Sequence, residues 1–144
     1  MTERNTGYAV GPLLRHAHSK AARAFNTALE PLGIQGKHFG VLIVLSQDGS
    51  VNQRILTERL GADKSATGRT LDELEQRGIC RRNPDPTDRR AHAVSLTAKG
   101  MRLFAKAEQI ATKVTADLLA DFDQDDQHRL LELLHRFINT ETAT

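Results

Sequence analysis

Four arginines stand in two pairs, Arg81-Arg82 and Arg89-Arg90, on either side of the run Asn83-Pro84-Asp85-Pro86-Thr87-Asp88. Lys64, Ser65 and Arg69 precede them, and Arg77, Lys99 and Arg102 lie close by in the chain. Alone, these side chains make and break no covalent bond. Gathered together, they hold a polyanion. A guanidinium forks onto a phosphate or a guanine edge, and a hydroxyl or ammonium beside free helix N–H groups takes a phosphate oxygen. The charge pattern agrees. The chain of 144 residues is nearly balanced at +2, but residues 64–102 hold nine basic and five acidic residues, and residues 103–144 hold four and eight. A basic middle thus precedes an acidic tail, which suits a polyanionic partner for one region only.

Bond-making chemistry has little to work with. There is no glycine-rich phosphate loop, no nucleophile elbow and no His-Glu-x-x-His helix. The six histidines, His16, His18, His38, His92, His128 and His135, show no metal-ligand spacing with a second cysteine or a flanking acid. No catalytic residue, metal or cofactor is therefore expected. Cys80 is the only cysteine, so no internal disulfide can form. It is expected to be a small buried side chain; if exposed, Arg81 and Arg82 would lower its pKa and open a thiol-based redox reading. No apolar run approaches the roughly 20 residues that span a bilayer, and the polar Met1–Gly7 stretch lacks a signal-peptide core. A cytoplasmic protein without a membrane partner is the expectation.

Six helices and one hairpin must position the basic residues. Apolar spacings of three and four predict a helix over residues 11–29, with Leu13, Leu14, Ala21, Phe25 and Leu29 on one stripe. A second helix is predicted over 36–47. Asn52 caps a third over 53–60, with Ile55, Leu56 and Leu60 buried, and Asp63 caps a fourth over 64–76. Short strands follow at 79–83 and 92–96, separated by a seven-residue tip that its two prolines stiffen. Thr97 caps a fifth helix reaching about residue 122, and Asp123 starts a sixth.

The third and fourth helices, joined through Gly61-Ala62-Asp63, form a helix-turn-helix whose second helix would enter a major groove by its N-terminal end. Periodicity turns Thr67, Thr70, Leu71 and Leu74 inward, and Ser65, Ala66, Gly68 and Arg69 outward. Arg69 and Ser65 are the expected base contacts, and Lys64, Arg82 and Arg89 the expected phosphate contacts. The basic tip of the hairpin beside that helix would reach the adjacent minor groove, whose narrow stretches attract arginine. Asp88 reads as an acid holding an arginine or the loop backbone. The rival reading is a winged-helix protein–protein adaptor, for which four arginines on one hairpin have little use. The apolar stripes at both ends of the chain exceed what the small winged unit can cover. They fit a homodimer; the alternative is a monomeric bundle.

Three runs, Leu74-Glu75-Gln76-Arg77-Gly78-Ile79, Arg82-Asn83-Pro84-Asp85-Pro86-Thr87-Asp88-Arg89-Arg90-Ala91 and Ser95-Leu96-Thr97-Ala98-Lys99-Gly100, give the chain its resemblance to the multiple-antibiotic-resistance regulator (MarR) family. The resemblance implies a mainly α fold with a minor β component. A winged helix-turn-helix (35–100) would lie between N-terminal (1–34) and C-terminal (101–144) dimerisation helices in one intertwined domain. It implies a dimer on pseudo-palindromic double-stranded DNA, with Arg90 as the minor-groove arginine and Asp88 as the acid bracing the wing. It further implies a repressor released by a small aromatic or phenolic effector bound between the dimer helices and the winged unit, for which His16, His38 and Phe39 are the candidates. Gly68 departs from the pattern, because a larger, often hydroxyl-bearing residue is usual there.

Overall fold

In a computed structural model, residues 7–141 are described. Helix α1 (Val10–Leu29) leads into a 3-10 turn (Glu30–Leu32) that ends at Gly33, whose φ of 69° lies in the left-handed region glycine enters freely. Then come α2 (Gly36–Asp48), β1 (Val51–Asn52), α3 (Gln53–Leu60), α4 (Lys64–Gln76), β2 (Cys80–Asp85), β3 (Asp88–Leu96), α5 (Ala98–Leu118) and α6 (Gln124–Asn139). The fold is mainly helical with one small antiparallel sheet.

Local chemistry explains where the helices start. The side chains of Asn52, Asp63, Thr97 and Asp123 accept hydrogen bonds from the backbone N–H groups of Arg54, Ala66, Gly100 and Asp126 at 2.7–3.1 Å. Each satisfies a donor that has no partner inside its helix. Leu42, Leu45, Leu56, Leu71, Leu74, Ile79 and Val94 are essentially sealed from solvent and join α2, α3, α4 and the sheet in one core. The rings of Phe39 and Phe104 stack with centroids 6.0 Å apart, which brings α5 onto α2.

Three expectations need correction. The wing is longer and tighter than a seven-residue tip, since β2 and β3 run on to Asp85 and Asp88 and leave only Pro86 and Thr87 between them. The strand order β1-β3-β2 puts β2 at an edge, where Pro84 has no outer neighbour to bond. The Asp85 carboxylate then closes the turn by accepting from the Thr87 N–H and hydroxyl. Ile55, expected in the core, is 43% exposed. Helix α5 stops at Leu118, short of residue 122, because the Gln127 amide of α6 donates to the carbonyls of Leu119 and Phe122 and takes the place of another helical turn. Among the described residues, no helix is long and apolar enough to cross a membrane.

Thr97 locks α5 onto the sheet. Its hydroxyl is shared between the carbonyls of Gly78, at 2.5 Å, and Ile79, at 3.1 Å, and its N–H donates to the Ile79 carbonyl. Three residues on, Gly100 lets the α5 backbone touch the segment just before β2, since an added Cβ would collide with the Ile79 carbonyl oxygen. The Leu-Thr-x-x-Gly run is thus a joint between the start of α5 and the turn that leads into β2. Gly68, on α4, faces open space instead. The same substitution should therefore have opposite signs at the two sites. In urea titrations, Gly100→Ala is expected to cost about 1–3 kcal/mol by overpacking, and Gly68→Ala to add about 1 kcal/mol through helix propensity.

Candidate nucleic-acid interface

Helix α4 divides by face. Thr67, Thr70, Leu71 and Leu74 are buried, and the Thr67 hydroxyl donates back to the Asp63 carbonyl at 3.0 Å. Lys64, Ser65 and Arg69 are exposed on the N-terminal half. Gly68 sits among them with nothing within 4 Å of where a side chain would start. Ala66, expected to face outward, is instead half-buried and helps to wall a cavity open to solvent. A threonine-and-alanine rim thus faces inward while one arginine, one lysine and one serine face out.

The wing presents Arg89 and Arg90, both exposed, at its tip. Asp88 accepts from the Arg90 N–H at 3.0 Å and so holds the loop backbone. Asp85 was not singled out by its sequence context, yet it carries more of the wing's geometry. Besides Thr87, it accepts from the Asn52 side chain at 2.8 Å, tying the tip to β1. These bonds hold its carboxyl below the ordinary range, the Asn52 amide contributing most.

Arg82 is where charge alone misleads. Its guanidinium, expected on a phosphate, pairs with Asp72 of α4, and its Nε lies 3.4 Å from the Glu75 carboxylate, which also accepts from the Arg82 N–H at 3.1 Å. Two carboxylates of α4 thus hold the first wing strand. The Asp72 hydrogen bond is the main reason the arginine is pushed further above its ordinary pKa.

The three effector candidates separate. His16 is exposed on α1 and lines neither cavity. Phe39 borders a largely apolar cavity of about 670 Å³ between α1, α2 and the inner side of α4, which also meets Ala21, Ala22, Phe25 and Ile43. His38 borders a neighbouring polar cleft of about 570 Å³. Its Nδ1 accepts from the Gln35 N–H at 2.9 Å, so the ring proton is assigned to Nε2, which donates to the Glu73 carboxylate at 2.5 Å. Cys80 is buried, and burial, reinforced by the nearby Glu75 charge, pushes its thiol up to about 11. Such a group stays a thiol at neutral pH and is poorly suited to oxidant sensing. Among the described residues, no group of three or more His, Cys, Asp or Glu could hold a metal ion.

A helix-turn-helix backed by a three-stranded sheet whose hairpin projects as a basic wing defines a winged helix-turn-helix protein. The sequence model of the MarR family matches residues 36–92. The transcriptional regulator HosA of Escherichia coli O111:H- is 28% identical over 70% of this chain and 75% of its own length. Among solved structures, a MarR-family transcriptional regulator from Rhodococcus sp. RHA1 superposes with a TM-score of 0.88 at 25% identity, over 98% of this chain and 100% of its own. A mutant MarR from E. coli complexed with operator DNA gives 0.82 at 27%, over 95% and 99%. The chain is similar to the MarR family over residues 36–92 and to transcriptional regulators along most of its length.

Two measurements check this geometry. Arg82→Ala should lower stability by about 1 kcal/mol, the size of a partly exposed pair. It should leave the slope of log DNA affinity against log salt unchanged, whereas Arg90→Ala should flatten that slope by about one phosphate contact. The second concerns pH. Glu73 is held below its ordinary value of 4.5, first by the His38 hydrogen bond and then by Lys37. A carboxylate depressed on folding contributes stability that is fully present above the unfolded value and is lost as pH falls through the folded one. Acid denaturation should therefore show Glu73→Gln less stable than wild type above pH 4.5, with the two curves converging below it.

Proposed function

We propose that the protein is a cytoplasmic homodimeric repressor that binds a pseudo-palindromic DNA operator and is released by a small aromatic or phenolic effector. The observation that carries the DNA reading is the shared exposure of Lys64, Ser65 and Arg69 on α4 and of Arg89 and Arg90 on a wing that Arg82 ties to that helix. Ser65 and Arg69 would meet base edges and Lys64 a phosphate, while Arg90, steadied by Asp88, would enter the minor groove and Arg89 would lie on the backbone. That a structurally similar MarR from E. coli is solved in complex with operator DNA supports the DNA reading.

The dimer reading rests on α6. It has no buried residue, and Leu131, Phe137 and Ile138 are each more than half exposed. Val10 at the start of α1 is half exposed as well. An amphipathic helix with its apolar face in water fits a second copy, and a twofold dimer matches two half-sites.

The effector reading rests on the apolar cavity. Its volume of about 670 Å³ suits a small ligand. Its wall includes Ala66, Thr67 and Thr70, the inner side of α4. An occupant would bear directly on the recognition helix. Of the three candidates, Phe39 lines this cavity and His38 the neighbouring cleft; His16 lines neither, and His18 is a further histidine on the cavity wall.

The test is fluorescence anisotropy with the DNA upstream of the protein's own gene, against scrambled duplex, at two salt concentrations. Preference for the upstream DNA should survive the higher salt. Arg69→Ala should cost about 1–3 kcal/mol and relax one base pair, and Lys64→Ala should weaken all duplexes alike. Weak, equal and salt-sensitive binding to both would defeat the operator reading. A panel of benzoates and phenols should release the bound duplex, and Ala21→Phe, which fills the cavity, should abolish release. Release by no panel member would remove the effector from the proposal.

A further inference from the structure

The C-terminal half of α4 and its C-cap residue Arg77 carry a second set of contacts, made to α2 and to the junction that precedes it. Glu73 accepts from His38 Nε2 at 2.5 Å and pairs with Lys37 Nζ at 3.5 Å, both at the start of α2. Four residues on, Arg77 donates through its guanidinium to the carbonyls of Gly33 at 2.6 Å and Leu32 at 3.1 Å. Both partners belong to the junction between α1 and α2. The junction is itself bonded to α1, because the Asn26 side chain accepts from the Gly36 N–H at 2.7 Å. From the other side, Lys99 Nζ donates to the Arg77 carbonyl at 2.6 Å and brings in the first turn of α5.

Apart from these ties and those to Arg82, the hold on α4 is apolar or methyl-rich: Thr67, Thr70, Leu71 and Leu74 pack into the core. Such a face fixes depth better than angle, because burial is non-directional. Hydrogen bonds from a planar guanidinium to two carbonyls, and from a histidine locked at its other nitrogen, are directional. Arg77 lies about 20 Å along the helix from Lys64 at the usual rise per residue, so it can steer the reading end without touching DNA.

We infer that Glu73 and Arg77 are positioning residues: they set the angle of α4 against α1, and through it the spacing at which the two recognition helices of a dimer meet their half-sites. This rests on the dimeric operator reading above. It also gives Arg77, a cation in the basic region, a role different from phosphate binding.

The experiment uses the full chain. Wild-type protein selects a half-site from a randomised duplex library, and that half-site is built into inverted repeats whose central spacer varies one base pair at a time. Wild type should bind one spacing best. Glu73→Gln and Arg77→Ala should lose about tenfold at that spacing, with the optimum flattened or moved and binding to an isolated half-site unchanged. Arg77→Lys is the decisive variant. It keeps the charge but cannot fork onto two carbonyls, so it should behave like Arg77→Ala, with the wild-type salt slope preserved in both. Melting curves confirm that each variant is folded, and Glu73→Asp serves as a second probe of the α2 tie if Glu73→Gln melts too low. Variants that keep the wild-type spacing profile overturn the inference. So does rescue by Arg77→Lys together with a reduced salt slope for Arg77→Ala, which would make Arg77 a phosphate contact. A wild type indifferent to spacing would instead remove the dimeric operator reading, and the inference with it.

Discussion

Helix α4 has to bury one face and leave another bare, and the rest of the chain is arranged around that constraint. Thirteen residues cannot do this alone, since a helix this short is marginal in water and gains its stability from packing. The buried face supplies Thr67, Thr70, Leu71 and Leu74 to the core. The bare face is then free to carry residues chosen for a partner. What burial leaves open is direction, and polar ties supply it from both sides. Asp72 and Glu75 hold the wing through Arg82, and Glu73 and Arg77 hold the α1–α2 junction. The carboxylates along α4 are thus outward-looking clamps.

Much of this was legible in the sequence where the causes are local. Asn52, Asp63, Thr97 and Asp123 announce their helices because a cap reaches only two or three residues along the chain. The bounds of α3 and α4 follow from those caps and from Gly61 and Gly78, both at positive φ. The inward face of α4 followed from periodicity alone. The wing was harder, because prolines mark a break in the ladder without showing which edge of the sheet they occupy. Pro84 reads as loop until the order β1-β3-β2 puts it on an outer strand. Ile55 misled for a related reason: helical spacing puts it near the apolar stripe, but nothing in the described chain covers that side of α3.

The candidate site was legible in its charges and not in their partners. Residue type and spacing pick out Lys64, Ser65, Arg69, Arg89 and Arg90, all of which lie exposed. They cannot separate Arg82 from Arg89, because the difference lies in Asp72 and Glu75 on another element. Asp85 was missed for the same reason, since its partner Asn52 is 33 residues away and already assigned as a cap. His38 carries a further lesson. A histidine at the start of α2 could serve a ligand, but with Nδ1 facing the Gln35 N–H and Nε2 facing Glu73 both ring nitrogens are already engaged. It is better suited to transmit a movement than to grip an effector.

These partners also revise what the basic zone means. Residues 64–102 carry four more basic than acidic side chains, which suggests a broad polyanion footprint. Yet Arg82 is matched by two carboxylates, Arg77 is turned onto two carbonyls, and Lys99 donates to a third. Of the six cations with no such brace, Lys64 and Arg69 lie on the N-terminal half of α4, Arg89 and Arg90 at the tip of the wing, Arg81 on β2 and Arg102 on α5. Four of these six cations thus form two groups, one on α4 and one on the wing, that a DNA duplex could meet together. Focused charge suits this unit better than a diffuse patch. A broad patch would hold any duplex in many registers, whereas two separated clusters on a braced frame favour the register in which helix and wing are satisfied together.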